Sequence, residues 1–232
     1  MLSTTRLAPP FRAIARYSTG ISDGKRTREQ LKELLRHTAQ PVAVVTAFMP
    51  SKKHEHPYHG ATLSSFTSIA MDPYPLISFA LRIPSRMATI LNAARPEDPS
   101  HMVINLLSAE QASVAEKFAR ADLHPEPFFS VPYSLTHEGL PILEGSLGSM
   151  SCKLVSKAIP LHELGFLEGK GFAEGNASYA GDAIVSELFI ARVIRVEKME
   201  LKDMTEDTPR TLPLIYHRRG YTSCHSPSRK SK

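Results

Sequence analysis

His59-Gly60-Ala61-Thr62-Leu63-Ser64-Ser65-Phe66-Thr67-Ser68-Ile69-Ala70-Met71-Asp72-Pro73-Tyr74-Pro75-Leu76-Ile77-Ser78-Phe79 joins two apolar runs through a cluster of hydroxyl side chains. Thr62, Ser64, Ser65, Thr67 and Ser68 crowd five hydroxyls between two apolar runs, and Asp-Pro-Tyr-Pro follows. Packing alone would favour apolar residues there. A strand that ends in such a bend offers short donors and backbone N–H groups to a polar ligand.

Working outward, Val42–Phe48 is β-branched and nearly apolar, which reads as a buried strand. Tyr58–Phe66 is the next strand and delivers the bend, with residues 49–57 as an exposed hairpin loop between the two. Leu76–Leu81, His101–Leu107, Ser149–Ile159 and Glu187–Val196 read as further strands. Three helices are expected. Thr27–Ala39 carries a Thr27/Gln30 capping box and Leu31, Leu34 and Leu35 on one face. Ser85–Ala94 has Ser85 at its cap and Met87, Ile90 and Leu91 on one face. Ser108–Arg120 has a Ser108/Gln111 capping box. Leu123–Pro141 is proline-rich and irregular, and Pro160–Ala183 is Gly-rich and unassigned. Strands outnumber helices without strict βαβ alternation. That pattern predicts an antiparallel barrel with a few packed helices rather than a doubly wound sheet.

The length of 232 residues suits one domain with tails. No apolar run is long enough to cross a bilayer as a helix. The net charge of +5 sits at the ends. Arg6, Arg12 and Arg16 give +3 in residues 1–20, and Arg229, Lys230 and Lys232 give +3 at the other end, so the remainder carries 5 − 3 − 3 = −1. A near-neutral body has no general pull on phosphate polymers, which makes nucleic acid an unexpected partner. Cys152 and Cys224 form neither a disulfide framework nor a metal pattern and fit a reducing compartment. His54, His56 and His59 around Glu55 could in principle hold zinc or nickel, but on a Lys-rich loop a solvated cluster is expected, so no metal site is assigned.

Residues 1–20 read as a mitochondrial presequence. They contain Arg, Ser and Thr, no acid, and spaced apolar residues at Leu2, Leu7, Phe11 and Ile14. Arg16-Tyr17-Ser18-Thr19 resembles a matrix-protease cleavage site. The expected organisation is a presequence over 1–20, a folded domain over 27–222 and a basic tail over 223–232.

Ser85, Arg86 and Thr89 form a second candidate site. They combine a cap, a permanent cation and a hydroxyl one turn on, at a helix start that favours phosphate. Taken alone, each piece also fits an ordinary capped helix after an ordinary strand. His217-Arg218-Arg219 could meet phosphate or be a solvated strand end.

The opening stretch resembles the Gly-x-Thr-x-Ser-Ser-Phe-x-Ser segment, ending in Asp-Pro, of the flavin reductase-like family. The likeness continues in register. Pro41–Thr46, Val103–Ala119 with Asn105, Ser108 and Gln111, Gly139–Ser146, Cys152-Lys153, Leu188–Val193 and Pro213–Tyr221 are similar to successive family segments. It implies a mostly β fold with packed helices, a split β-barrel of the FMN-binding type, acting as a homodimer. It further implies FMN or FAD as cofactor and NADH or NADPH as co-substrate. Thr62, Ser64, Ser65, Phe66 and Ser68 would line the flavin ring and ribityl chain, and Ser85, Arg86 and Thr89 would hold the phosphate. One departure stands out. The family has Gly-Asp-His before the strand equivalent to Leu188–Val193, with that His near the nicotinamide, and here Ser186 takes its place. No catalytic side chain is therefore assigned. Two functions follow as expectations: an NAD(P)H-dependent flavin reductase of the mitochondrial matrix, or a non-catalytic flavin-binding subunit of a mitochondrial assembly.

Overall fold

The computed structural model describes residues 20–49, 57–170, 185–199 and 208–224. Residues 1–19 of the sequence-predicted presequence, the 54–56 part of the histidine cluster and most of the basic tail lie outside them. The chain divides into a unit ending at Thr38 and a unit from Ala39 onward. The first contains α1, Gly20–Arg36. It starts earlier than Thr27, so Thr27 and Gln30 lie inside the helix and form no capping box. The residues before Thr27 do not break the helix, and exposed i,i+3 pairs such as Lys32–Glu29 at 2.8 Å support it. Leu31, Leu34 and Leu35 are exposed.

The second unit is built on one large antiparallel sheet. Its strands are β2 (Ala43–Phe48), β3 (Tyr58–Leu63), β4 (Thr67–Ala70), β5 (Leu76–Ile83), β6 (Met102–Leu106), β9 (Gly148–Leu154), β10 (Ile159–Pro160) and β11 (Val185–Met199). The order is β3–β2–β6–β9–β11–β5–β4, and β10 adds to β11. β1 (Gln40–Pro41), β12 (Leu214–His217) and β13 (Gly220–Ser223) make a small second sheet, and β7 (Tyr133–Leu135) pairs with β8 (Pro141–Leu143).

β3 and β4 stand at opposite ends of the main sheet, yet only Ser64-Ser65-Phe66 separates them. So short a link spans at most roughly 14 Å. The sheet must therefore curl until its two edges meet, which gives the predicted split barrel. The strand expected over Tyr58–Phe66 accordingly ends at Leu63, because the chain has to leave one edge and join the other.

Two apolar clusters explain why β2 reads as apolar throughout. Ala43, Val45 and Ala47 face the inside of the curl with Phe79, Phe189, Met102 and Ile104. Phe79 and Phe189 stack there with ring centroids 5.6 Å apart. Helix α2 (Arg86–Asn92) closes this interior with Met87, Ala88 and Leu91. Val42 and Val44 face the other way, against Ala115 and Phe118 of α3 (Ala112–Ala119) and against Phe128. The turn before α3 keeps the predicted Ser108/Gln111 box, with Ser108 N–H donating to Gln111 Oε1 at 3.1 Å. Leu123–Pro141 is less irregular than expected, since it contains a 3-10 turn at Pro127–Phe129 and β7. The expected strand Ser149–Ile159 is two strands, β9 and β10, and α4 (Leu164–Leu167) interrupts the Gly-rich segment.

One polar side chain ties this core together. Asn105 is fully buried and uses every hydrogen-bonding position. Its amide donates to Val44 O and Thr46 Oγ1, both at 3.2 Å, and its oxygen accepts from Leu143 N–H at 2.9 Å and Ser149 Oγ at 2.8 Å. Thr46 Oγ1 in turn donates to Pro141 O at 2.6 Å. β2, β6, β8 and β9 are joined through that one amide. Cys152 is buried, and desolvation pushes its thiol up to about 12, so it stays an inert packing residue, while Cys224 is exposed.

Candidate functional site

The hydroxyl bend is the seam where the curled sheet meets itself. β4 pairs with β5 only as far as Thr67↔Ser78, which leaves Ala80 of β5 facing the gap. Ser65 fills it. Its Oγ donates to Ala80 O at 3.0 Å and accepts from Ala80 N–H at 2.9 Å, so one side chain replaces the backbone of a missing strand residue. Thr62 is also committed within the fold, donating to Ala115 O in α3 at 2.6 Å. Phe66 packs against the interior cluster. Ser64 and Ser68 are exposed, and their hydroxyls make no hydrogen bond among the described residues. The five residues thus divide into three that build a wall and two that present hydroxyls beside it.

From Ala80, β5 runs through Ile83 and hands the chain to Pro84-Ser85, about 16 Å away at the rise of an extended strand. Ser85 caps α2 by accepting Ala88 N–H at 3.1 Å, and its O–H remains available as a donor. Thr89 Oγ1 donates to Ser85 O at 3.1 Å and retains acceptor capacity. The Arg86 guanidinium makes no ion pair among the described residues. α2 has seven residues rather than the ten expected, because its final carbonyls are closed off at Ala93. A helix this short adds little dipole, so the cation and the two hydroxyls dominate the electrostatics of this end.

A cleft of about 440 Å³ opens here, lined by Met49, Pro84, Ser85, Arg86, Thr89 and Ile90. The structure therefore brings Ser85, Arg86 and Thr89 to one concavity and sets the Thr62–Ser68 bend farther back along β5. Sequence reasoning missed Met49 and Ile90. Ile90 was assigned to the apolar face of its helix, and Met49 to an exposed loop. Nothing local distinguishes a residue that lines a cleft from one that is merely half-buried.

Ser186 lies on β11 opposite Arg82, and its backbone oxygen accepts from Leu161 N–H at 3.0 Å. Arg218 and Arg219 form the turn between β12 and β13, both with left-handed φ, 49° and 66°. His59 is the one member of the histidine cluster within the described residues, and these contain no group of three or more metal-ligating side chains. Among them no helix is long and apolar enough to cross a membrane.

Comparison with known proteins adds context to this geometry. The flavin reductase like domain matches residues 35–225. A flavin reductase from Pseudomonas putida is 33% identical over 115 residues, which is 50% of this chain and 61% of that one. An NADH-dependent flavin reductase from Rhodococcus is 28% identical over 139 residues, 60% of this chain and 72% of that one. Alignment with the first of these thus spans under two thirds of the relative's length. Among solved structures, the styrene monooxygenase flavin reductase of Pseudomonas putida S12 superposes with a TM-score of 0.60 at 22% identity, covering 85% of this chain and 99% of that one.

Proposed function

Because the chain belongs to the flavin reductase-like domain family, we propose that it binds FMN or FAD and reduces it with NADH or NADPH. The family match over residues 35–225 carries this reading, since it includes both the seam and the Ser85–Thr89 turn. The residues present suit a phosphorylated flavin. Arg86 supplies a cation that makes no ion pair among the described residues, and Ser85 keeps its proton to donate to a phosphate oxygen. Bound flavin supplies the hydride acceptor of the reaction. The protein's share is positional. Ser64 and Ser68 hydrogen-bond the ring and ribityl chain, Thr62, Ser65 and Phe66 hold that wall in place, and Ser85, Arg86 and Thr89 anchor the phosphate. Orientation of two rings needs no acid–base pair.

An anaerobic absorbance spectrum before and after NADH tests occupancy and hydride transfer together. The flavin bands should bleach, and absence of nicotinamide oxidation at every flavin concentration overturns the catalytic reading. Ser186 favours a second reading, a flavin-binding subunit of a mitochondrial assembly that lacks turnover. In that case flavin binds without bleaching, and Ser186→His restores bleaching.

The basic, acid-free segment 1–20 supports placement in the mitochondrial matrix. Residues 1–25 fused to a fluorescent protein should direct it there, and a diffuse cytosolic signal refutes the placement. Exposed Ile69, Met71 and Tyr74 around the edge strand β4 support a homodimer, which light scattering on the purified protein checks.

A further inference from the structure

We propose that Glu126 is a positioning residue for Arg86: it is the resting counter-ion that a phosphate must displace, and it weakens the selection of phosphorylated over unphosphorylated flavin. The ligand rests on the flavin reading above, whereas the role of Glu126 rests on a second cavity. That cavity, of about 20 Å³, is lined by Met49, Tyr58, His59, Arg86, Glu126 and Phe128 among others. Such a volume takes about one water and no larger ligand, so its polar groups answer to one another. Of its lining residues, Met49 and Arg86 also line the 440 Å³ cleft that holds Ser85 and Thr89. Met49 is apolar, which leaves Arg86 as the polar link between the small cavity and the open cleft.

The two charges differ in freedom. Glu126 is half-buried and stands immediately before the 3-10 turn Pro127–Phe129. Pro125 and Pro127 flank it and restrict its backbone. Next to it, buried Phe128 packs against Tyr58, Phe118 and Tyr133 with ring centroids 5.8, 5.2 and 5.3 Å apart. Lys117 Nζ donates to Ser130 Oγ at 2.9 Å and ties the far end of the turn to α3. Glu126 therefore stands on a fixed platform. Arg86 is the first residue of α2, is exposed and makes no ion pair among the described residues, so its long side chain keeps its rotamer freedom. A mobile cation between a fixed acidic residue and an open cleft is shared between them. With the cleft empty, the guanidinium is drawn towards Glu126. A phosphate beside Ser85 and Thr89 draws it away and leaves Glu126 without its counter-ion. That loss opposes phosphate binding and leaves a flavin without phosphate unaffected.

Fluorescence titration of the full chain with FMN and with riboflavin tests this role, beside inorganic phosphate followed by NMR. Glu126→Gln should tighten FMN by about three- to tenfold, the effect of removing one partly screened charge from beside the cation, and leave riboflavin unchanged. In an Arg86→Met background the same change should leave FMN unmoved, because the cation through which Glu126 acts is gone. A purely structural role would shift FMN and riboflavin together and persist without Arg86. A ratio of FMN to riboflavin affinity that Glu126→Gln leaves unmoved or lowers, or that it raises equally without Arg86, overturns the proposal. If wild-type protein binds neither flavin, the flavin reading fails separately, and inorganic phosphate then decides the role of Glu126. Phosphate should bind Glu126→Gln more tightly than wild type, and phosphate that binds both equally, or neither, overturns the proposal.

Discussion

Replacing Asn105 with Leu keeps the number and branching of its side-chain heavy atoms and removes all four of its hydrogen bonds. Two donors lose their acceptor, Leu143 N–H and Ser149 Oγ, and both residues are almost fully buried. An orphaned buried donor costs about 1–3 kcal/mol. The Leu143 amide is fixed in the β7–β8 hairpin and incurs most of that. The Ser149 hydroxyl can rotate and recovers part. Val44 O and Thr46 Oγ1 each lose a donor, a smaller loss because Thr46 still donates to Pro141 O. Together these reach about 3–4 kcal/mol, and the added apolar burial returns about 1. A net loss of about 2–3 kcal/mol should lower the melting temperature by roughly 4–12 °C for a domain of this size. Thermal denaturation followed by circular dichroism, with urea titration for the free energy, measures it. Pairing the change with Ser149→Ala should be less than additive, because both remove the same bond. A variant within about 0.5 kcal/mol of wild type would refute the claim that this amide joins the four strands.

Gly60→Ala puts a Cβ 2.5 Å from Phe118 Cδ1 and Cε1, so the ring must move within its cluster, and a loss of about 1–3 kcal/mol should appear in urea titration. Ser65→Ala removes both bonds to Ala80 at the seam, and the Ala80 amide should exchange with deuterium faster than its neighbours on β5; unchanged protection would mean the seam does not depend on that hydroxyl. The acid limb of stability should depend on Glu138. The Arg195 guanidinium, bonded to it at 2.6 and 3.1 Å, holds its carboxyl down at about 2 against an ordinary 4.5. A folded-state value below the unfolded one contributes stability above pH 4.5, which is lost as pH falls from there towards 2. Arg195→Met should therefore flatten the drop in melting temperature across that window, and an undiminished slope would assign the acid limb to other carboxylates.

Much of the fold was legible because it is local. The apolar run Val42–Phe48, the Ser85 cap and the Ser108/Gln111 box each depend on residues within a turn or a strand of one another. The helix around Thr27 was misjudged at its start because a plausible capping pair does not end a helix whose upstream residues can continue it. The helix after Ser85 was overextended because its end depends on Ala93 and the carbonyls before it, and apolar spacing continues past that point.

Read residue by residue, the chain already shows more strands than helices, helix starts at Ser85 and Ser108, charge at the two ends and hydroxyls gathered at Thr62–Ser68. Only the tertiary structure decided what those hydroxyls do. Ser65 meets Ala80 fifteen positions away, and Thr62 meets Ala115 fifty-three away, so these two build the seam and the helix contact. Ser64 and Ser68, chemically the same, are left exposed. The cleft at the start of α2 likewise brings Met49, which follows β2, to Pro84, Arg86 and Ile90. Side-chain chemistry and local propensity are written residue by residue, whereas the partner of a hydroxyl is set by the closure of a sheet whose edges meet only after the whole chain has paired.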